Sequence, residues 1–292
     1  MTEQKWTSAQ LPSFEGRTVI VTGATSGLGR VIATELGAKG ARVVLAVRNV
    51  AAGEEVAATI DGSTEVRALD LADLSSVRHF AEAWEGDVDV LVNNAGIMMV
   101  PKRLTTDGYE SQFATNHLGH FALTNLLLPH ITDRVVTVAS SAHRWGGFDL
   151  DDLNWERREY RTERAYGQSK ISNLLFTLEL QRRLEGIGLR AYAAHPGYAA
   201  TNLQGHTGNA LKHALMAIGN RVVAQSAEAG ALPTLYAASQ DLPSGSYVGP
   251  DGFGEYRGSP TLVGRTALAS DPELARKLWT ESESLTGVSW PL

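Results

Sequence analysis

The stretch Thr22-Gly23-Ala24-Thr25-Ser26-Gly27-Leu28-Gly29 leaves few folds open to this chain. It follows an apolar, β-branched run, Thr18-Val19-Ile20-Val21, and opens a helical pattern over Arg30–Lys39. A strand, a glycine-rich turn and a helix in immediate succession form a device for holding a phosphate. The turn's N–H groups and the positive end of the helix dipole face the anion, and glycine lets two backbones approach closely. The spacing is G-x-x-x-G-x-G and differs from the G-x-G-x-x-G of the commoner dinucleotide fingerprint.

The rest of the chain repeats that alternation. Strands are expected at Thr18–Thr22, Ala41–Val47, Glu65–Leu69, Val88–Val92, Arg134–Val138, Leu189–Ala193 and Ser246–Val248. Between them stand helical patterns: Leu28, Val31, Ile32 and Leu36 at spacings of three and four, then Ala51–Ile60, Leu74–Trp84 behind an Asp73 N-cap, and one long helix over Thr106–His130. Tyr166–Arg183 and Ala227–Ser239 follow, and Asp271-Pro272-Glu273 starts a last helix. This order implies an α/β fold, a single-domain doubly wound Rossmann-type parallel sheet of about seven strands with helices on both faces. Residues 1–15 read as an N-terminal extension, 143–164 as an insertion loop and 200–225 as a substrate lid.

In such a sheet the site lies along the strand carboxyl ends, where several polar groups fall. Arg48-Asn49 ends the second strand; an acidic residue there would take a ribose 2′-OH, whereas arginine suits the 2′-phosphate of NADP. Asp70 ends the third strand and either accepts from an adenine amino group or begins the next turn. Asn93-Asn94-Ala95-Gly96 ends the fourth, and Ser140-Ser141 follows the fifth. Asn116 sits inside the long helix, where asparagine competes for backbone hydrogen bonds. Tyr166 and Lys170 stand at i and i+4, on one helix face.

Composition narrows the chemistry. A formal net charge of -6 argues against a nucleic-acid partner. The absence of cysteine excludes disulfides and thiolate chemistry, and the eight histidines show no metal-ligand spacing, so no metal is expected. No apolar run reaches the roughly 18 residues that span a bilayer, and the polar Met1–Phe14 has no signal-type apolar core; no membrane anchor and a cytoplasmic location are expected.

Taken together, TGxxxGxG at Thr22–Gly29, NNAG at Asn93–Gly96, Ser141, and YxxSK at Tyr166–Lys170 resemble the short-chain dehydrogenase/reductase family, over roughly Gly16 to Gly249. Asn116-His117-Leu118-Gly119-His120-Phe121, Ser140-Ser141-Ala142-His143, Tyr166-Gly167-Gln168-Ser169-Lys170 and His195-Pro196-Gly197 are similar to the retinol-dehydrogenase and WW-domain-oxidoreductase-like branch. Ser141 and Tyr166 lie 25 positions apart, about twice the family's usual spacing, which the insertion accounts for.

The resemblance implies a hydride-transferring oxidoreductase of a hydrophobic carbonyl/alcohol pair that prefers NADP(H) over NAD(H). Tyr166 is the implied general acid/base, with Lys170, together with the oxidised nicotinamide, lowering its pKa, Lys170 also binding the nicotinamide ribose, Ser141 holding the substrate oxygen, and Asn116 bending its helix and holding a water that links Lys170 to solvent. The turn at Gly23, Thr25, Ser26, Gly27, Leu28 and Gly29 is the implied pyrophosphate cradle. Arg48 and Asn49 take the 2′-phosphate, Asp70 and Leu71 border the adenine, Asn94, Ala95 and Gly96 the adenine ribose, and Pro196, Gly197 and Thr201 the nicotinamide amide. Met98, Met99, Trp145 and Tyr198, with a lid at Leu211–Ile218, are candidates for an apolar substrate pocket. The helices Ala165–Arg183 and Asp107–His130 are the family's usual face for a homodimer. Two rival readings share the fold: a C=C reductase or epimerase, and a non-catalytic NADPH-binding scaffold.

Overall fold

The computed structural model describes residues 5–145, 147–198 and 225–292. Its strands are β1 (Thr18–Thr22), β2 (Arg42–Val47), β3 (Thr64–Ala68), β4 (Val88–Asn93), β5 (Ile131–Val138), β6 (Arg190–Ala194), β7 (Tyr247–Pro250) and β8 (Pro260–Leu262). They form one sheet in the order β3-β2-β1-β4-β5-β6-β7-β8, parallel throughout except for β8 against β7. The order reverses at β1, so β1 and β4 diverge into crossovers on opposite sides and leave a crevice at their carboxyl ends.

The continuous apolar runs are explained by burial on both faces of the sheet. Val19 and Val21 of β1 pack with Leu28, Ile32 and Leu36 of α1 (Gly27–Gly37) on one side. Ile20, between them, faces the other side with Val77 and Phe80 of α3 (Leu74–Glu82), which follows α2 (Val50–Ala57) in the chain. That second layer holds α4 (Ser111–Phe113), a π-helical turn (Ala114–Leu118), α5 (Gly119–Leu127) and α6 (Thr162–Arg183); α7 (Ala227–Ser239) joins the first. The caps read from the sequence are present: Asp73 accepts from Ser75 and Ser76 N–H, and Asp271 from Glu273 and Leu274 N–H at the head of α8 (Pro272–Thr286).

Four expectations change. The sheet has eight strands, because β8 is a three-residue edge strand that starts on proline and carries too little pattern to read. The long helix starts at Ser111, since the Glu110 carboxylate accepts from Gln112 and Phe113 N–H as its N-cap while Gly108 turns the chain at φ 84°. That helix is then interrupted by the π turn that contains Asn116, where one continuous helix is expected. The helix pair foreseen as a dimer face is covered by the chain itself. Trp279 of α8 is fully buried, stacked on Phe176 (5.7 Å between centroids, 12°) and edge-on to Phe121 (4.9 Å, 70°).

The insertion is ordered around one carboxylate. Asp152 accepts from Glu156 N (2.7 Å), Arg158 N (3.1 Å) and Arg158 Nε (3.0 Å), while Gln168 Nε2 of α6 donates to Leu153 O (3.0 Å) and ties the loop to the helix. Among the described residues, no helix is long and apolar enough to cross a membrane.

Candidate active site

The crevice between β1 and β4 is closed by contacts that only small residues permit. Gly23 turns with φ 67°, and a Cβ on it would stand 2.9 Å from Ala95 Cα. A Cβ on Gly29 would stand 2.4 Å from Gly23 O and 2.5 Å from Asn94 Nδ2. Thr22 and Asn94 bind the two strand ends together: Asn94 Nδ2 donates to Thr22 O (2.8 Å), and the N–H groups of Asn94 and Ala95 both donate to Thr22 Oγ1 (2.9 Å each). Ser26 is the N-cap of α1, yet its side chain makes no capping bond, so the first-turn amides of α1 stay open toward the crevice.

A cleft of about 370 Å³ runs from this point along the sheet edge. Its wall includes Gly23, Thr25, Ser26, Gly27, Leu28 and Gly29 on one side and Asn94, Ala95 and Gly96 on the other. Arg48 and Asn49 stand exposed at one end, with Asp70 and Leu71 beside them. Asn49 is also the N-cap of α2, its Oδ1 accepting from Ala52 N (3.2 Å), and Asp70 Oδ1 accepts from Ala72 N (2.9 Å). Asp70 thus begins its turn and lines the cleft at once.

Tyr166, Lys170 and Pro196 line the far end, with Met98 and Val138. Both α6 side chains are buried, at 7% and 4% exposure, and Lys170 Nζ donates to Val138 O (2.9 Å). Burial pushes the Tyr166 phenol up to about 12, and a hydrogen bond with Ser140 pulls the other way. Burial brings Lys170 down to about 8. The ammonium lies over the ring, 5.7 Å from its centroid, and is directed at the Val138 carbonyl.

Ser140 hydrogen-bonds with Tyr166. The strand ends at Val138, so the alternation that separates neighbouring side chains no longer applies at Ser140. Ser140 instead caps a 3₁₀ turn (Ser141–Arg144), with Ala142 N donating to its Oγ (3.1 Å), so the hydroxyl still has its proton to donate. Ser141 is the first residue of that turn.

The Asn116 side chain is held by three protein bonds. Its Oδ1 accepts from Ile97 N (2.8 Å), and its Nδ2 donates to Ile97 O (2.9 Å) and Ser169 Oγ (2.9 Å). The side chain thus clamps the loop after β4 to α6. Thr22, Ser140 and Ser169 were not singled out as site residues by sequence; each is a small hydroxyl whose role depends on partners distant in the chain.

Of the pocket candidates, Met98 lines the cleft and Trp145 lies 6.4 Å from the Tyr166 ring. Met99 turns at φ 54°, held by Gln112 Oε1 (2.7 Å). Gly197 turns at φ 66° beside Tyr256 O, its N–H donating to His195 Nδ1 (3.2 Å), and Tyr198 N donates to Tyr256 O (2.8 Å). Thr201 and Leu211–Ile218 lie outside the described residues, as does the 200–225 lid apart from Gln225.

The family model for short chain dehydrogenases matches residues 17–212. The chain belongs to the short-chain dehydrogenase family. As a member it is an oxidoreductase of alcohol and carbonyl groups that uses NAD(P). It is 42% identical to human retinol dehydrogenase 13 over 96% of this chain and 87% of that protein, and 39% identical to mouse retinol dehydrogenase 12 over 97% and 90%. Among solved structures, an uncharacterised protein from Mycobacterium paratuberculosis superposes with TM-score 0.87 at 55% identity, covering 99% of this chain and all of that one. A protein described as an NAD(P)-dependent gluconate 5-dehydrogenase from Beutenbergia cavernae, with bound NADP, superposes with TM-score 0.61 at 29% identity over 78% and 91% of the two chains. The retinol dehydrogenases place this short-chain dehydrogenase in the branch that its motifs resemble.

Proposed function

We propose that this short-chain dehydrogenase is an NADP-preferring, cytoplasmic reductase of hydrophobic aldehydes or ketones, with Tyr166 as its general acid. The observation that carries the reading is the meeting of Tyr166 and Lys170, with Ser140 hydrogen-bonded to Tyr166, at one end of a cleft whose other end carries Arg48. The open first-turn amides of α1 and the glycine contacts at Gly23 and Gly29 suit a pyrophosphate. Arg48, exposed at the adenosine end, suits a 2′-phosphate, where its planar fork gives paired, charge-assisted hydrogen bonds.

When bound, the nicotinamide cofactor supplies the hydride. The chain supplies position and a proton. Ser140 Oγ, already accepting from Ala142 N, donates its hydrogen to the substrate oxygen and holds it near the phenol. Tyr166, pushed up to about 12 by burial, stays protonated through neutral pH and delivers its proton to that oxygen. Lys170 would bind ribose hydroxyls of the bound cofactor. Met98 and Trp145 offer an apolar wall, and the relatives named retinol dehydrogenases support an apolar aldehyde or alcohol as substrate.

The test is cofactor consumption with NADPH and with NADH against aldehydes and ketones of increasing chain length. Higher kcat/KM with NADPH and with longer apolar chains supports the reading; indifference to both contradicts it.

A further inference from the structure

Among the buried groups that this chemistry leaves unused, His120 stands apart, because its bonds reach both halves of the site. It lies on α5 at 1% exposure, one turn after Asn116. Its Nδ1 is 3.0 Å from the main-chain oxygen of Asn116, and its Nε2 is 2.9 Å from Thr22 Oγ1. A carbonyl only accepts, so Nδ1 carries the hydrogen. Burial holds the ring down to about 4 and hence neutral at pH 7, which leaves Nε2 an acceptor for the Thr22 hydroxyl. The Thr22 oxygen then keeps its lone pairs for the N–H groups of Asn94 and Ala95.

The chain of bonds continues on the other side. Asn116 Nδ2 donates to Ser169 Oγ, and Ser169 Oγ donates to Tyr166 O (2.8 Å). The Asn94–Ala95 loop is thereby joined to the turn of α6 that carries Tyr166, through side chains of Thr22, His120, Asn116 and Ser169 that are all buried. Donors and acceptors match at every link.

We propose that His120 is a positioning residue, whose ring holds the cofactor-side loop at Asn94–Ala95 and the Asn116 turn in one fixed relation. An apolar residue of similar size would fill the space but leave the Asn116 carbonyl without the ring's hydrogen bond and the Thr22 hydroxyl with only the long contact to Val92 O (3.4 Å). The functional readouts rest on the proposed cofactor chemistry; the structural readout does not.

Two variants of the full chain separate the two ends of the ring. In His120→Asn the shorter amide keeps the bond to the Asn116 carbonyl, as Asn125 Nδ2 does with Phe121 O (2.9 Å) on the same helix, but cannot reach Thr22. In His120→Leu both bonds are lost. Amide hydrogen exchange on the ligand-free protein is expected to speed up about tenfold or more at Asn94 and Ala95 in both variants, and over Ala114–Leu118 only in His120→Leu. NADPH binding, read by its fluorescence, is expected to weaken about tenfold in both, and kcat to fall most in His120→Leu. Exchange at Asn94 and Ala95 within about twofold of wild type in His120→Asn would overturn the proposal, and so would an unchanged NADPH affinity in a folded His120→Leu protein. Wild-type protein that binds no NADPH would count against the proposed function instead, and the exchange comparison would still decide the role of His120.

Discussion

Lys170 Nζ lies 5.7 Å from the centroid of the Tyr166 ring, with both side chains buried and the ammonium donating to Val138 O. Burial brings that lysine down to about 8 from the ordinary 10.5, so holding its charge inside the fold costs about 3 kcal/mol at pH 7. The unfolded chain binds this proton more tightly, so the penalty is complete below about pH 8 and fades as the pH rises toward 10.5. Lys170→Met removes the charge without orphaning the carbonyl, which Asn173 Nδ2 also reaches (3.1 Å). The variant is expected to be inactive yet more stable by about 3 kcal/mol in denaturant titrations at pH 7, with the gain shrinking to about 1 kcal/mol near pH 9.5. A less stable variant at pH 7 would show that the ammonium is held by more than the Val138 carbonyl.

Ser140 and Ser141 are adjacent but stand in different roles, one capping the 3₁₀ turn beside Tyr166 and the other inside that turn. Ser140→Ala removes the donor to the substrate oxygen and is expected to lower kcat about 100-fold or more, the range seen for single oxyanion donors. Ser141→Ala is expected to stay within about threefold of wild type, since the half-buried Ser141 lies inside the turn and Ser140 makes the bond with Tyr166. Steady-state kinetics of the pair decides which serine matters, and a larger loss from Ser141→Ala would reverse the assignment.

Arg48 is the cleft's basic group at the adenosine end. Arg48→Ala is expected to raise the KM for NADPH by about tenfold to 100-fold, the loss of a charge-assisted pair of bonds, and to leave the KM for NADH nearly unchanged. Equal losses with both cofactors would mean that Arg48 shapes the cleft without reading the phosphate.

Four buried histidines, His143 among them, make the fold acid-sensitive. Burial brings His117 down to about 3, and His120 and His195 to about 4, against 6.5 for a free imidazole. Since the folded values are depressed, the unfolded chain takes up these protons first, and stability present above pH 6.5 is lost as the pH falls toward 4. Each of His117, His120 and His195 is expected to cost roughly 2 kcal/mol at pH 5 in denaturant titrations. His117→Leu should make the decline shallower by one proton; a stability flat from pH 7 to 5 would contradict the burial argument.

The sheet and the cofactor end of the site were legible in the sequence because they rest on local chemistry. A β-branched run, a turn that tolerates only glycine and a helix start are each decided within a few residues, and Gly23 and Gly29 meet the contacts that require them. The substrate end was less legible. Choosing between Ser140 and Ser141 depends on where β5 stops, and the strand leaves the sheet two residues before Ser140. The Tyr166 proton depends on burial summed over the whole fold, which an i, i+4 lysine does not reveal. The dimer face was closed by α8, whose Trp279 gives no local sign that its partners are Phe121 and Phe176.

The most direct measurement of the central claim is NADPH-dependent reduction of an apolar aldehyde by wild type and Tyr166→Phe, with NADPH affinity measured on both. The account expects a fall in kcat of about 100-fold to 10,000-fold, the worth of a positioned general acid, with NADPH affinity within about threefold of wild type. A Tyr166→Phe protein that reduces the aldehyde at the wild-type rate would contradict it.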